Sequence, residues 1–265
     1  MKKQTKDQIK NIIKRELMKK LNKLPDSYEL AVTKQAARKP LHERIFPPDL
    51  IVSNFLFQSL STTLGKSVIE KIARTIASEN FDYVHPREYT FKGTIPDNVK
   101  TLIDTMVRDI EHGKPDIQNE IQHILTAVHN PKGKQKEEQE TVDLYLKKGG
   151  KEYFIEITTV KPNLKECRSF KRRQLSIIAI VKKPIIPIIG MPYNPYEPKE
   201  YKWSMPLTFF TLGVDLLIGE QFWDFLGGQG TYKELLNLFE EIKEEIEPQI
   251  RSKMENYINE IHRKN

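Results

Sequence analysis

The stretch Thr141–Asn163, TVDLYLKKGGKEYFIEITTVKPN, decides the fold. Val142 to Leu146 reads as a strand around Asp143, with apolar residues alternating with others. A Lys-Lys-Gly-Gly-Lys turn follows, and Gly149-Gly150 suits the positive φ angles of a two-residue hairpin. Glu152 to Val160, rich in Tyr, Phe, Ile, Thr and Val, is predicted as the second strand. Glu156 sits in its middle, between Ile155 and Ile157. A carboxylate among such neighbours is costly without a compensating partner, and a bound cation is one. Alternation along a strand puts Glu156, Thr158 and Val160 on one face and Ile155, Ile157 and Thr159 on the other. With Asp143 pointing the same way, two carboxylates converge, and such hard oxygen donors suit Mg²⁺. The plainer alternative is a solvated sheet face, where an Asp and a Glu are commonplace.

Downstream, a basic helix is predicted from about Lys165 to Val181, packing through Leu164, Phe170, Leu175 and Ile178. Lys161, Lys165, Arg168, Lys171, Arg172 and Arg173 crowd its first half, and with Asn163 they are candidates to contact DNA. A solvated basic face explains them equally well. Upstream, Ser61-Thr62-Thr63 and Gly65 precede a helix with Val68, Ile69, Ile72, Ala73 and Ile76 on one stripe. Glu70 falls beside that stripe, either as an exposed partner of Lys66 or Arg74 one turn away, or as a third acid of the site.

The remaining segments give helices at both ends of the chain. Residues 6–23 place Ile9, Ile12, Ile13, Leu17 and Leu21 at helical spacing, with lysines opposite; Pro25 stops them. Residues 26–46 are predicted helical, and FPPDL starts another helix with Asp49 in its first turn. Helices are also expected over Asp97–Glu111 and 115–128. NPKGKQKEEQE, 130–140, reads as a polar loop, 184–190 as a buried strand and 207–218 as a strand with a turn. GEQFWDFLGG forms an aromatic helix, and Thr231 with Glu234 reads as a capping box opening a long charged helix. His85 and His112 have no partners at metal-ligand spacing, and the Gly227–Gly230 cluster follows a helix rather than a strand, so it is weak evidence of a phosphate loop.

At 265 residues, the chain is expected to form a single domain: a helical region 1–48, a core of about 49–218 and a helical region 219–265. No apolar run reaches membrane-spanning length, and no h-region follows the basic start. One cysteine, Cys167, excludes an intramolecular disulfide and a cysteine-rich zinc site, and fits a reducing cytoplasm. The net charge of +7 favours a polyanion partner, or serves only solubility.

VDLYL…EYFIEITTVKPN carries the D-x(12)-E core of the PD-(D/E)xK nucleases. Together with STTLGKSVIEKIA and GEQFWDFLGG-x-x-TYKELL it resembles the TdeIII-type family of type II restriction endonucleases, over about residues 40–247. The resemblance implies an α/β fold: a restriction-endonuclease-like core with a mixed central sheet flanked by helices. It implies a cytoplasmic homodimer that cuts double-stranded DNA at a short palindrome, GGNCC among family members, beside a cognate methyltransferase. Asp143 and Glu156 match the metal-binding acids, with the Ile157 carbonyl as a further Mg²⁺ ligand, and Glu70 matches the helical acid. The departure is Thr158, where the family pattern has lysine. Threonine can hold a water but carries no charge. Either Lys161 substitutes, or a basic residue of the following helix does, or the copy is weakened. The competing readings are a non-cleaving DNA-binding protein of this fold and a structure-specific repair nuclease.

Overall fold

The computed structural model describes residues 1–34, 39–110 and 113–264, so Glu111, where the expected helix ends, and His112 lie outside the described residues. The chain divides into two compact units, 1–72 with 233–265, and 73–232.

The first unit is helical. It contains α1 (Lys3–Lys23), α2 (Tyr28–Lys34), α3 (Pro40–Glu43) and α4 (Pro48–Thr63), and α5 (Lys66–Ala77) begins in it. Ile9, Ile13, Leu17 and Leu21 form the buried stripe of α1 that their spacing predicts. The lysines opposite do not form a free basic face. The amine of Met1 and Lys6 reach Glu234, at 2.9 and 3.1 Å, Lys10 reaches Glu241 at 2.5 Å, and Lys14 pairs with Glu245.

The second unit opens with β1 (Tyr83–Val84), β2 (Tyr89–Pro96), α6 (Asp97–Asp109) and α7 (Ile117–His129). The hairpin follows: β3 (Gln135–Val142), β4 (Leu144–Lys148) and β5 (Lys151–Ile157). Then come α8 (Leu164–Val181), β6 (Ile186–Met191), α9 (Ser204–Phe209), β7 (Leu216–Ile218) and α10 (Glu220–Gly227), and α11 (Thr231–Lys264) starts here and runs on into the first unit. The main sheet has the order β1-β4-β5-β6-β7, antiparallel as far as β5 and parallel beyond it. It is the mixed sheet with flanking helices that the restriction-endonuclease-like expectation describes. Gly149 and Gly150 turn the β4–β5 hairpin at φ 55° and 75°, conformations that most side chains resist. Helix α8 is the crossover between the parallel strands β5 and β6, and Leu175, Ile177, Ile178 and Ala179 bury it in the core.

Several sequence expectations are corrected here. Residues 135–140 are not loop: they belong to β3, which pairs along its whole length with β2 in a separate two-stranded ribbon. Its charged side chains find partners on α6, Lys100 for Glu138 and Asp97 for Lys136 at 3.1 Å, instead of a core. The strand expected over Val142–Leu146 is broken at Asp143, since Val142 pairs with Tyr89 in the ribbon and Leu144 with Ile155 in the main sheet. The strand expected to reach Val160 ends at Ile157. Residues 204–209 are helical, leaving only 216–218 as strand. Thr231 does not cap through Glu234; its hydroxyl donates to Gly228 O at 2.6 Å, and Asp224 accepts the Gly230 and Tyr232 amides at 2.8 and 3.0 Å. No helix among the described residues is long and apolar enough to cross a membrane.

Candidate active site

Asp143 is the single residue between ribbon and main sheet. The β4–β5 ladder ends at Leu144↔Ile155, and Asp143 and Glu156 are the next residue on either side of that last rung. Two contacts fix Asp143. Its Oδ2 accepts the Ile157 amide at 2.6 Å, and its carbonyl accepts Arg74 Nη2 from α5 at 2.8 Å. Asp143 and Glu156 are only 4% and 7% exposed. Removing two carboxylates from water demands compensation. Glu70, also buried, lies one helical turn before Arg74 on α5, so it is not the exposed surface glutamate of the plainer reading.

Compensation for Glu156 comes from the crossover helix. Arg173 Nη1 lies 2.7 Å from Glu156 Oε2, and Arg173 Nε lies 3.5 Å from Glu140 Oε2 on β3. Burial works against the guanidinium charge, but Glu156, Glu140 and Asp143 outweigh it and raise the Arg173 pKa. Burial is also the main reason that the Glu140 carboxyl is raised above the usual range, with Arg173 opposing it.

The other predicted residues take different places. The Thr158 amide donates to Gly190 O at 3.0 Å, extending the β5–β6 ladder. Lys161 lies beyond the end of β5, its Nζ 4.9 Å from the Tyr196 ring centre and 5.8 Å from that of Trp203. The strap that holds it is tied down by Tyr201 Oη to Val160 O at 2.7 Å and Trp203 Nε1 to Pro162 O at 2.9 Å. Asn163 caps α8, accepting the Glu166 amide at 3.0 Å while Glu166 accepts the Asn163 amide at 2.7 Å.

Within the basic run, Lys165 is exposed, and Arg172 is exposed and paired with Asp104. Lys171, expected at a DNA surface, is fully buried. Its ammonium sits 2.8 Å from Glu120 Oε2 and 3.3 Å from Asp215 Oδ2, over the Phe210 ring. No phosphate reaches it there. Its partners lie 51 and 44 residues away, too far for any spacing to reveal.

Two acids escaped the sequence reading. Glu88, in the loop before β2, has a carboxylate oxygen within 4.8 Å of one from Asp143, and Glu140 faces Arg173 from β3. Neither belongs to a motif; the β2–β3 pairing sets Tyr89, which follows Glu88, opposite Val142, which precedes Asp143. The neighbouring donors of Asp143 and Glu88 are carboxylate oxygens, the set that hard divalent cations take, so these residues fit such an ion, while Glu156 lies on Arg173.

Comparison with known proteins follows the same line. A family model described as "Type II restriction endonuclease, HinfI" matches residues 1–243. The type II restriction enzyme HgiCII of Herpetosiphon aurantiacus is 30% identical over 227 residues, covering 82% of this chain and 82% of that enzyme. HgiBI of the same organism is 28% identical, covering 82% of this chain and 81% of that enzyme. MjaII of Methanocaldococcus jannaschii is 29% identical over 205 residues, covering 70% of this chain and 54% of that enzyme. No solved structure matches the chain significantly.

Proposed function

From the premise that this chain belongs to the HinfI family of type II restriction endonucleases, and so is a site-specific deoxyribonuclease that binds DNA, we propose that it hydrolyses duplex DNA with Mg²⁺ at the Asp143–Glu156 edge. The TdeIII-type subfamily is not confirmed by these matches. The observation that supports the reading most is the lock of Asp143 onto the Ile157 amide, which holds one acid beside the strand that carries the other.

In this reading Asp143, Glu156 and the Ile157 carbonyl would hold the ion, with Glu88 next to Asp143, and Glu70 is kept as the helical acid. A bound Mg²⁺ supplies Lewis-acid polarisation of the phosphate and a lowered pKa for its water. A water oxygen bonds to phosphorus, the P–O3′ bond breaks, the water proton leaves to solvent and the 3′ oxygen takes one up. The products are a 5′-phosphate and a 3′-hydroxyl. Thr158 orients water by hydrogen bonding, while Lys161, Lys165, Arg168 and Arg172 border the duplex. Both compact units are read as parts of one endonuclease domain, acting as a homodimer in the cytoplasm beside a cognate methyltransferase. GGNCC, carried from the resemblance, is the first site to test.

Unmethylated phage DNA incubated with the protein and Mg²⁺, with and without EDTA, tests this directly. Discrete, EDTA-sensitive fragments with ligatable 5′-phosphates are expected. Asp143→Ala and Glu156→Ala are expected to abolish them while retaining DNA binding in Ca²⁺. Wild type that binds DNA yet never cuts would mean that Thr158 marks a lost site.

A further inference from the structure

The chain has threonine where its motif calls for a charged residue, and a cation from another element lies on the acid next door. We propose that Arg173, carried on α8, supplies at the scissile phosphate the positive charge that Thr158 lacks. The inference rests on the nuclease reading above and names a residue for it.

Three observations carry it. First, the guanidinium touches the site: Arg173 Nη1 is 2.7 Å from Glu156 Oε2, two residues before Thr158. Second, it is aimed rather than loosely placed. Glu140 on β3 lies 3.5 Å from Arg173 Nε, so acids from two different strands flank one planar fork. The fork's donors match the spacing of two phosphate oxygens. Third, Lys161, the cation nearest to Thr158 in sequence, is held elsewhere. Lys161 lies against Tyr196 and Trp203, in a strap anchored at Val160 and Pro162.

The chain path explains how the charge was relocated. β5 ends at Ile157, and the Thr158 amide adds one more ladder bond, to Gly190 O, before the chain turns off toward α8. The crossover helix then runs back along the sheet and returns its middle to the same edge. One helix thereby delivers Arg173 to Glu156 and buries Lys171 in the core two residues earlier. Arginine remains protonated at any working pH, so it stabilises phosphate charge and takes no proton from water.

The test compares wild type, Arg173→Ala, Arg173→Lys, Arg173→Gln, Thr158→Lys and the double variant R173A/T158K. The readouts are single-turnover cleavage, Mn²⁺ affinity by electron paramagnetic resonance and Ca²⁺-supported DNA binding. R173A is expected to lose about 10²–10³-fold in cleavage rate, as for other groups that meet transition-state charge. Its Mn²⁺ and DNA affinities are expected to stay within about threefold, because the lost contact matters in the transition state. R173K is expected to retain part of the rate, and R173A/T158K to regain at least about tenfold over R173A by returning a cation to the motif position. R173Q keeps a polar side chain without the charge and carries the test if R173A is unstable.

R173A or R173Q cutting at the wild-type rate would overturn the inference. So would a loss of cleavage matched by an equal loss of Mn²⁺ affinity, with no rescue by Thr158→Lys. In that case Arg173 only holds Glu156. Wild type inert with both Mg²⁺ and Mn²⁺, or E156A as active as wild type, would instead defeat the nuclease reading and this inference with it.

Discussion

At the scale of single residues, the site depends on groups whose partners are distant in sequence. The hairpin that brings the chain around Asp143 back beside Glu156 was legible because a Gly-Gly turn fixes its own register. Arg173 was legible only as one cation among six, and the pairing that singles it out runs from helix to strand. Glu88 and Glu140 carried no signal, because β3 hides in a run of Lys, Gln and Glu with no apolar alternation. Cys167 offers a clean check on burial. It is fully buried, and burial raises its thiol pKa to about 12. The thiolate that would attack a disulfide reagent is therefore scarce at neutral pH. The native protein is expected to show no reaction with such a reagent over minutes, and one thiol per chain after denaturation in guanidinium. Rapid native labelling would place Cys167 nearer solvent than it lies here.

At the scale of elements, α8 unites core and site. Lys171 holds it to α7 through Glu120 and to the start of β7 through Asp215. Removing one member of such a buried group typically costs about 3–5 kcal/mol, since the remaining charges lose their partner. Lys171→Met is therefore expected to lower urea stability by about that much at neutral pH. The acid limb has a definite sign. Burial raises the folded-state pKa of Asp215, with Lys171 opposing, so the lysine-free variant raises it further. A raised acid favours the folded state below its unfolded pKa of 3.8 and loses that contribution as pH rises through the folded value. The stability gap between K171M and wild type should narrow toward about pH 4; a gap that widens there contradicts the buried triad.

Gly190 on β6 gives a second prediction at this scale. A methyl group there would meet Phe222 Cε2 of α10 at 2.4 Å. Gly190 pairs with Ile157 and accepts the Thr158 amide, so the strain falls on the strand end that bears Glu156. Gly190→Ala is expected to cost about 1–3 kcal/mol and to slow cleavage as well, measured by thermal melting and single-turnover rates. Wild-type values in both would show that α10 yields without disturbing β5. Apart from α9, the helices discussed above, the hairpin and β6 were legible from periodicity and turn residues. The break at Asp143 and the Asp224 cap were not, because both are set by where the chain goes next.

At the scale of the whole molecule, the net charge of +7 is the property that DNA meets first. Binding is expected to weaken steeply with salt, with a log–log slope of about −0.9 for each phosphate neutralised. Arg172→Ala should lower that slope by about one if Arg172 meets a phosphate, and leave it unchanged if Asp104 keeps it. Filter binding between low and physiological salt distinguishes the two. The junction at Asp143 has a mechanical consequence. The β2–β3 ribbon is continuous with the main sheet through that residue, so on this path only one pair of backbone torsions separates them. A torque applied along the ribbon arrives at Asp143 as a rotation of its carboxylate against the Ile157 amide. Arg173, with Glu140 of the ribbon on one side and Glu156 of the sheet on the other, braces the same junction, beside the stacked rings of Tyr89 and Tyr145.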